Sequence, residues 1–435
     1  MIEISHKIEI LPNNKQRTCL VKAFGCARFA YNWGLSEWIR RHKNGEKVNG
    51  NKLKKIFNSE KKEKYPFVCE VTKYATQQSF VYLQKAYDRF FKDLKEDVVS
   101  FPKFKSKKGN IESFYIGGDI VRLSDRDFKT KTRPTFAKNK CYLYIQKIGW
   151  IKMTERLRFN GKINGATIKK EGTKIYACFQ MSITNEEYCK THKKIGNKNR
   201  IVGIDFGLNS VAILSDGIKI KNNHYSDSEE TKRKKILRRI DRKEHPRTKD
   251  EKMSGVKQSN NYKKAMLRYF MFEKRIRNKR SDFIHKLSSI ITSFYSNIAI
   301  EDLPISKLIS TVHWGDYFKD VALGTLRRCI TYKASAKNKT IEIANRFYPS
   351  SKTCSACGYV KDTIKLRDRI FSCEKCGLLI DRDFNASLNL KQAFKKIGVV
   401  YPEFTPADLE ELICLLVVNN IQFHKVETGI QQLKQ

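Results

Sequence analysis

IVGIDFG (residues 201–207), followed closely by SVAILSDG (residues 210–217), decides the fold of this 435-residue chain. Each stretch holds an apolar run of strand length, and the glycines and polar residues around the runs are typical of turns. The two stretches therefore predict a buried hairpin. One acid, Asp205, stands near the end of its first strand.

A hairpin with an acid on its first strand opens ribonuclease-H-like folds. It also opens actin-like ATPase folds, in which the same turn cradles phosphate. The hairpin alone leaves both fold classes open, so the assignment depends on which other residues accompany Asp205.

Two further acidic motifs follow Asp205. Glu301 closes a second buried-looking strand, NIAIE, and Asp383 lies in DRDFNAS at the start of a predicted helix. Asp381 shares that motif, and an acid there also serves as a helix N-cap or an ion-pair partner. Three carboxylates on one fold hold two hard cations and leave positions open for phosphate and water. This combination is typical of a nucleic-acid-cutting magnesium site.

Four cysteines separate the second acidic motif from the third. They form CSAC and CEKC with fifteen residues between the pairs, a spacing that predicts a zinc ribbon with ligands Cys354, Cys357, Cys373 and Cys376. Gly358 and Gly377 follow the pairs and allow the tight turns that direct two thiolates at one ion. Chance or disulfide pairing is the alternative. The other eight of the twelve cysteines are scattered singly and are interpreted as free thiols.

The charge of the chain indicates a polyanionic partner. Its 87 Lys and Arg against 45 Asp and Glu give a formal net charge of +42, which would otherwise oppose compaction. Nucleic acid is the first candidate and an anionic membrane surface is the second. The longest apolar run, residues 412–418, is too short to span a bilayer, and no secretory leader is visible. We therefore expect a cytoplasmic protein without a membrane partner.

The remaining sequence divides by its periodicity. Residues 1–12 predict a strand, residues 13–95 have helical spacing, and residues 101–183 contain short alternating stretches that suggest a small barrel. Residues 231–286 carry 21 Lys and Arg against 6 Asp and Glu, together with an apolar stripe. We interpret this segment as a helix with one packed face and one phosphate-binding face, the alternative being a solvated charged helix.

In this order and with these gaps, the motifs resemble the split RuvC nuclease of transposon-encoded TnpB proteins, whose relatives are the type V CRISPR effectors. Further blocks that resemble the family are YNWGLSEW, AYDRFFK, FPKFKSK, NKRSDFIHKLS and FYPSSKTCSACG, so the resemblance covers roughly residues 1–390. It implies that Asp205, Glu301 and Asp383 hold two Mg²⁺ ions. Asp383 is preferred to Asp381 because the family acid stands two residues before the Asn, here Asn385.

The resemblance also implies a role for Arg369, which matches a family arginine positioned to meet the scissile phosphate; a structural role in the ribbon is the alternative. Lys103 and Lys105 would contact a nucleic-acid backbone, unless they belong to a solvated loop. The implied partners are a guide RNA derived from the transposon end and a double-stranded DNA target. The implied cofactors are two Mg²⁺ and one structural Zn²⁺.

We therefore predict a multidomain α+β protein with a ribonuclease-H-like RuvC core and a zinc ribbon, preceded by a β-barrel wedge domain that carries a helical recognition insert. The predicted activity is RNA-guided cleavage of DNA next to a short flanking motif. The alternatives are a compact type V CRISPR effector and a guided repressor that binds without cutting. The predicted segments are a first wedge strand (1–12), the helical insert (13–95), the wedge (96–190), the first two RuvC motifs (196–350), the ribbon (351–379), the third RuvC motif (380–395) and a C-terminal tail (396–435).

Overall fold

The computed structural model divides the chain into two compact units, Met1–Glu187 and Tyr188–Gln435, and each is described by itself. No helix among the described residues is long and apolar enough to cross a membrane. The residues that the structure describes are 1–94, 101–107, 111–124, 141–191, 199–207, 209–225, 229–244, 258–302, 322–345, 347–365, 367–394 and 401–426.

The first unit combines three long helices with an antiparallel sheet. The helices are α1 (Asn14–Lys43), α2 (Gly50–Lys64) and α3 (Lys73–Leu94), and a capping box between Asn13 and Gln16 starts α1. Trp38 of α1 stacks on Tyr87 of α3 with ring centroids 4.0 Å apart, while Phe57 and Phe80 are fully buried between the helices. These helices lie within the predicted insert, residues 13–95.

Seven strands form the sheet of the first unit, in the order β2-β6-β7-β1-β5-β4-β3. β1 is central because it pairs antiparallel with both β5 and β7, so the first residues of the chain complete this sheet. The strands are β1 (Ile2–Leu11), β2 (Ile111–Gly117), β3 (Arg122–Ser124), β4 (Cys141–Ile145), β5 (Gly149–Met153), β6 (Lys162–Glu171) and β7 (Lys174–Ile183).

The predicted barrel differs from this sheet in one respect. The described pairings give a linear strand order that ends at β2 and β3, and no pairing between those two edges closes it within the described ranges. Alternating sequence patterns predict strands, but they do not encode whether the last strand meets the first, because closure depends on shear and tilt across the whole sheet.

The second unit is built on a six-stranded mixed sheet in the order β12-β11-β8-β9-β10-β15. β8, β9 and β10 are successively antiparallel, while β11 and β12 are added parallel to β8. This is the arrangement of ribonuclease-H-like sheets, extended by one edge strand. The strands are β8 (Ile201–Asp205), β9 (Ser210–Leu214), β10 (Ile218–Lys221), β11 (Asn297–Glu301), β12 (Thr340–Ala344) and β15 (Phe423–Lys425).

Helices cover both faces of the six-stranded sheet. The main core lies on one face, where Val202 and Ile204 pack with apolar residues of α6, α7 and α9. α8 lies on the other face, where its Leu390 contacts Ala299 and Ala344. From residue 185 onward the described helices are α4 (Asn185–Thr191), α5 (Glu230–Asp241), α6 (Asn260–Phe294), α7 (Leu323–Ala336), α8 (Arg382–Ala393) and α9 (Pro406–Val418).

The predicted C-terminal tail, 396–435, is in large part a piece of this core. Thr405 and Asp408 form a capping box that starts α9, whose Leu412 and Leu416 are buried in the core. β15 then pairs antiparallel with β10. Arg200, just before β8, forms an ion pair with Asp408 although both side chains are nearly inaccessible. The apolar stripe of α9 was visible in the sequence, but its partner on the sheet was not.

Candidate metal centres and nucleic-acid interface

Two of the three predicted carboxylates lie at the same edge of the six-stranded sheet of the second unit. β8 and β11 are parallel, and Ile204 pairs in register with Ile300, so Asp205 and Glu301 occupy the next position on each strand. Equivalent positions on parallel strands project to the same face. Both side chains are half-buried, on the face opposite the main apolar core.

Asp383 reaches this edge because α8 packs against β8 without an intervening side chain. A Cβ on Gly203 would lie 2.5 Å from the backbone nitrogen of Lys391 and would overlap the backbone oxygen of Ser387. Only glycine allows such an approach of helix and strand backbones. Asp383 lies in the first turn of α8, and Gly203 of GIDFG therefore helps to bring the first and third acidic motifs together.

The electrostatics of Asp205 show that the three acids share one environment. Burial raises the pKa of the Asp205 carboxyl well above its usual range, and the charges of Glu301 and Asp383 raise it further. Arg382 opposes this effect. Burial also raises the pKa of Glu301, with a further contribution from Asp302. Carboxylates held together in this way favour a bound cation.

The ligand atoms of the three acids are more widely spread than those of the cysteines. Among the described residues, only the four cysteines form a group of three or more potential ligands whose atoms all lie within 4.8 Å of one another. The donors of the three acids are hard oxygens, which suit divalent cations such as Mg²⁺.

Asp381 and Asp383 have different partners. Asp381 accepts the backbone N–H of Phe384 at 2.9 Å as the N-cap of α8, and its other oxygen lies 2.5 Å from Lys219 Nζ. Asp383 Oδ1 accepts from Arg382 at 3.2 Å. These contacts support the interpretation of Asp381 as a helix cap and ion-pair partner. Asp383 makes its contact with Arg382.

Arg369 lies at the rim of the same site. Its guanidinium is 4.0 Å from Asp383 Oδ2, and 59% of its side chain is exposed. Its backbone oxygen accepts the N–H of Arg382, which fixes the position of its main chain. The side chain is thus available to an anion that approaches the carboxylates.

The four cysteines converge as the spacing predicts. Cys354 Sγ lies 3.6 Å from Cys376 Sγ, and Cys357 Sγ lies 3.6 Å from Cys373 Sγ. These separations exclude disulfides, whose sulfurs are about 2.05 Å apart, and are close to the roughly 3.8 Å expected between thiolates around tetrahedral zinc.

The chain around the cysteines is also shaped for a metal. The glycines after the pairs have positive φ angles of 74° and 70°, as the predicted turns require. A hairpin of β13 (Ile370–Ser372) and β14 (Leu379–Asp381) carries the second pair and runs directly into α8. The cluster can therefore hold a metal such as zinc.

The basic loop of the first unit has a defined conformation. The side-chain amide of Asn32 donates to the backbone oxygen of Lys105 and accepts its backbone N–H, at 2.9 and 2.8 Å. Lys105 Nζ lies 4.0 Å from the ring centroid of Tyr31, a cation–π contact, and desolvation of the ammonium group lowers the pKa of this lysine. Both Lys103 and Lys105 are exposed residues, and these contacts distinguish Lys105. The solvated-loop interpretation thus fits Lys103 better than Lys105.

The long basic segment forms α5 and α6 within its described parts. Ile276, Phe283 and Leu287 of the expected stripe are buried. Of the Lys and Arg residues between them, Arg277 and Lys279 are exposed, and Arg280 and Lys286 are partly exposed. Arg233 of α5 pairs with Glu273 of α6 at 2.8 Å, which holds the two helices together. One face packs and the other remains accessible to phosphates.

Sequence reasoning missed several residues that shape the carboxylate site. Arg382 stands between the two acids of DRD and could have been noticed there. The position of Lys219 could not be predicted from the sequence, because its ion pair with Asp381 joins residues that are far apart in the chain. Asn385 was noted only as a motif marker, although its side chain is fully buried.

Three family models match separate parts of the chain. A “probable transposase” model of the IS605 OrfB type covers residues 182–311, a “Cas12f1-like, TNB domain” covers 324–390, and an OrfB “helix-turn-helix domain” covers 1–47. Over these three parts the chain is similar to the IS605 OrfB (TnpB) family. This confirms the resemblance carried by the acidic and cysteine motifs, and it removes the actin-like ATPase alternative.

Two curated proteins are similar to this chain over most of its length. It is 26% identical over 399 residues to a protein of Streptomyces pristinaespiralis named “Putative RNA-guided DNA endonuclease”, covering 90% of this chain and 89% of that protein. A protein of Escherichia coli K12 with the same description, InsQ, is 23% identical, covering 89% of this chain and 91% of that protein. Among solved structures, a Cas12f1–sgRNA–target DNA complex is similar with a TM-score of 0.47 and 16% identity, covering 86% of this chain and 82% of that one.

The residues that match the helix-turn-helix model have a different structure in this chain. Residues 1–47 are described by the family as a helix-turn-helix domain, yet they form the single strand β1 and the single 30-residue helix α1. A helix-turn-helix reads DNA with the second of two short helices. The described residues contain no such pair in this range; β1 pairs with β5 and β7, and α1 packs against α3.

Proposed function

We propose that this chain is an RNA-guided DNA endonuclease of an insertion sequence that cuts double-stranded DNA beside a short flanking motif. The observation that carries the proposal is the convergence of Asp205, Glu301 and Asp383 at one edge of a ribonuclease-H-like sheet, in a chain whose full-length relatives carry the name RNA-guided DNA endonuclease.

The three acids would act as the cation ligands of the nuclease site. Asp205 and Glu301 project from rigid strand ends, and Asp383 projects from a helix capped by Asp381, so the oxygens are held before cations or substrate arrive. Two bound Mg²⁺ ions would activate a water and stabilise the leaving oxygen of an in-line displacement, giving a 5′ phosphate and a 3′ hydroxyl. Arg369, exposed at the rim, would contact the scissile phosphate.

The rest of the chain would hold nucleic acid. Sequence choice would come from pairing between a guide RNA and the target strand, and the protein would read only the flanking motif. The net charge of +42 supports a partner with many phosphates. We assign the sheet of the first unit to a wedge barrel and α1 to α3 to a recognition insert, with a guide derived from the transposon end. One Zn²⁺ would hold the ribbon.

Guided binding without cleavage is the second candidate, and one relative favours it. Over 125 residues, or 26% of this chain, the sequence is 33% identical to a Pelobacter propionicus protein named “CRISPR-associated DNA-binding protein Cas12m”. Such a binder needs no cation site. The presence of all three acids at one half-buried edge, where the charges of Glu301 and Asp383 raise the pKa of Asp205, favours cleavage, because carboxylates placed together in this way are stabilised by a bound cation.

The test is guided cleavage by protein expressed together with its native flanking DNA. The complex should purify with one discrete RNA, and it should cut a duplex that matches this RNA in Mg²⁺ but not in EDTA. A duplex with mismatches beside the flanking motif is the matched control and should stay intact. Binding of the matched duplex without cleavage would favour the repressor, and a random mixture of RNA fragments would contradict the proposal.

A further inference from the structure

Two buried amides on α8 face the first cysteine turn of the ribbon. Asn385 and Asn389 are 0% and 1% exposed, one helical turn apart on the same face. Asn385 donates to the backbone oxygen of Thr353 at 2.7 Å and accepts the backbone N–H of Ser355 at 3.0 Å. Asn389 donates to the oxygens of Ser350 and Thr353 at 2.7 and 2.6 Å.

These bonds hold the main chain on both sides of Cys354. Thr353 precedes this cysteine and Ser355 follows it, and backbone N–H groups of the same turn point to its sulfur. The hydrogen bonds therefore fix the position of this cysteine turn relative to α8. We call Asn385 and Asn389 the amide clamp.

The same helix carries Asp383 two residues before Asn385. The second cysteine pair is also joined to it, because β14 runs without a loop into the N-cap of α8. Both halves of the ribbon thus end on the first two turns of the helix that presents Asp383. On the sheet side, contact with Gly203 fixes the helix against Asp205.

We propose that the amide clamp makes the two metal sites interdependent: zinc in the ribbon fixes the first turns of α8 and thereby raises the affinity of the carboxylate site for divalent cations. Asn385 and Asn389 are positioning residues in this scheme, since they act through Asp383. The proposal rests on the proposed function, in which Asp383 is a cation ligand. Because coupling between two binding sites is reciprocal, divalent cations also raise the affinity for zinc.

The test is a Mn²⁺ titration followed by electron paramagnetic resonance, on the full chain purified with its RNA. Removing zinc from the wild-type complex with a chelator, followed by removal of the chelator, should weaken Mn²⁺ binding about tenfold, a typical size for coupling between sites. Asn385→Leu and Asn389→Leu, which keep the branched heavy-atom skeleton but lose the hydrogen bonds, should weaken it similarly, and zinc removal should then have little further effect. Guide RNA should be retained in both variants.

Gln392→Ala is the matched control. This amide bonds the backbone oxygen of Ser355 at 2.8 Å from the same helix, but it is exposed and water can replace it, so Mn²⁺ affinity should be unchanged. The zinc-depleted wild type needs no substitution, so it tests the coupling even if a clamp variant fails to fold. Unchanged Mn²⁺ affinity after zinc removal would overturn the proposal.

Asp205→Asn separates this proposal from the proposed function. If that variant abolishes Mn²⁺ binding while zinc removal and the clamp variants leave the affinity unchanged, the carboxylate site stands and the coupling fails. If Asp205→Asn binds Mn²⁺ as the wild type does, the cations lie elsewhere. Both the coupling and the assignment of the carboxylates are then contradicted.

Discussion

The two candidate metal sites of the nuclease unit are built in opposite ways. The cysteine site draws its ligands from one stretch, residues 354–376, and two turns bring the sulfurs within 4.8 Å. The carboxylate site draws its ligands from segments spread over residues 205–383, and their convergence requires parallel strand register and a helix docked on a glycine. A site built from one stretch of chain can be predicted from sequence spacing. The geometry of a site built from distant segments depends on how the whole core packs.

The largest expected effect follows from destroying the local site. Replacing both Cys354 and Cys357 with Ser should abolish zinc binding, because structural zinc contributes on the order of 10 kcal/mol of binding free energy in small modules. Elemental analysis should find about one zinc per wild-type chain and none in the variant. Cleavage should fall as the ribbon unfolds. Cys414→Ser, at an exposed cysteine outside the cluster, should keep its zinc. Zinc retained by the double variant would remove the ribbon assignment.

A substitution at Gly203 tests the distributed site through its backbone contact. Gly203→Ala inserts a methyl group against the main chain of α8, so we expect the unfolding free energy to fall by about 3 kcal/mol or more. Gly25→Ala is the control, since a Cβ there meets nothing within 4 Å and the residue lies inside α1. Denaturant unfolding measures both. Equal stability of the two variants would contradict the close packing of α8 on β8.

Two lysine side chains are also buried in the core of the second unit. Lys333 and Lys337 of α7 are 4% and 9% exposed, and their ammonium groups donate to hydroxyl and carbonyl oxygens of α6. Burial lowers the pKa of both lysines to about 8, against 10.5 in an unfolded chain. Neighbouring charges act on both: Cys329 raises the pKa of Lys333, Cys189 raises that of Lys337, and Lys333 and Lys339 lower that of Lys337.

This arrangement predicts the sign of a pH dependence. Between pH 8 and 10.5 the folded chain has released protons that the unfolded chain retains, so the unfolding free energy should rise with pH, by roughly 1–3 kcal/mol per lysine. The contribution is absent below pH 8, where both states are charged. Urea unfolding at several pH values measures it, and Lys333→Met should flatten the slope. An unchanged slope in that variant would show that Lys333 is not the titrating group.

The smallest expected effect concerns the acid beside the third ligand. Asp381→Ala removes the N-cap of α8 and should cost about 1 kcal/mol of stability while cleavage remains measurable. Asp381→Asn keeps an oxygen for the Phe384 N–H and loses only the charge facing Lys219, so it should be closer to the wild type. Inactive Asp381→Ala beside active Asp383→Ala would reverse the assignment of the third ligand.

The same contrast explains what the sequence could predict. The cysteine turns, the hairpin around Asp205 and the three acidic motifs follow from spacing and periodicity, which are local properties. Lys219, the role of Gly203 and the addition of β15 to the sheet depend on which strands and helices meet. Closure of the first unit's sheet has the same origin, because it is a property of the assembled sheet; the described strands give a linear order, and the barrel stays a prediction.

The measurement that tests the central claim most directly is binding and cleavage of one guided duplex by Asp205→Asn. This substitution keeps the side-chain shape and replaces a charged carboxylate ligand with a neutral amide, without removing any basic residue. We predict that cleavage of both strands falls by roughly a thousandfold or more, while affinity for guide RNA and target DNA stays within about twofold of the wild type. Cleavage of the guided duplex at the wild-type rate by Asp205→Asn would contradict the carboxylate site as the catalytic centre.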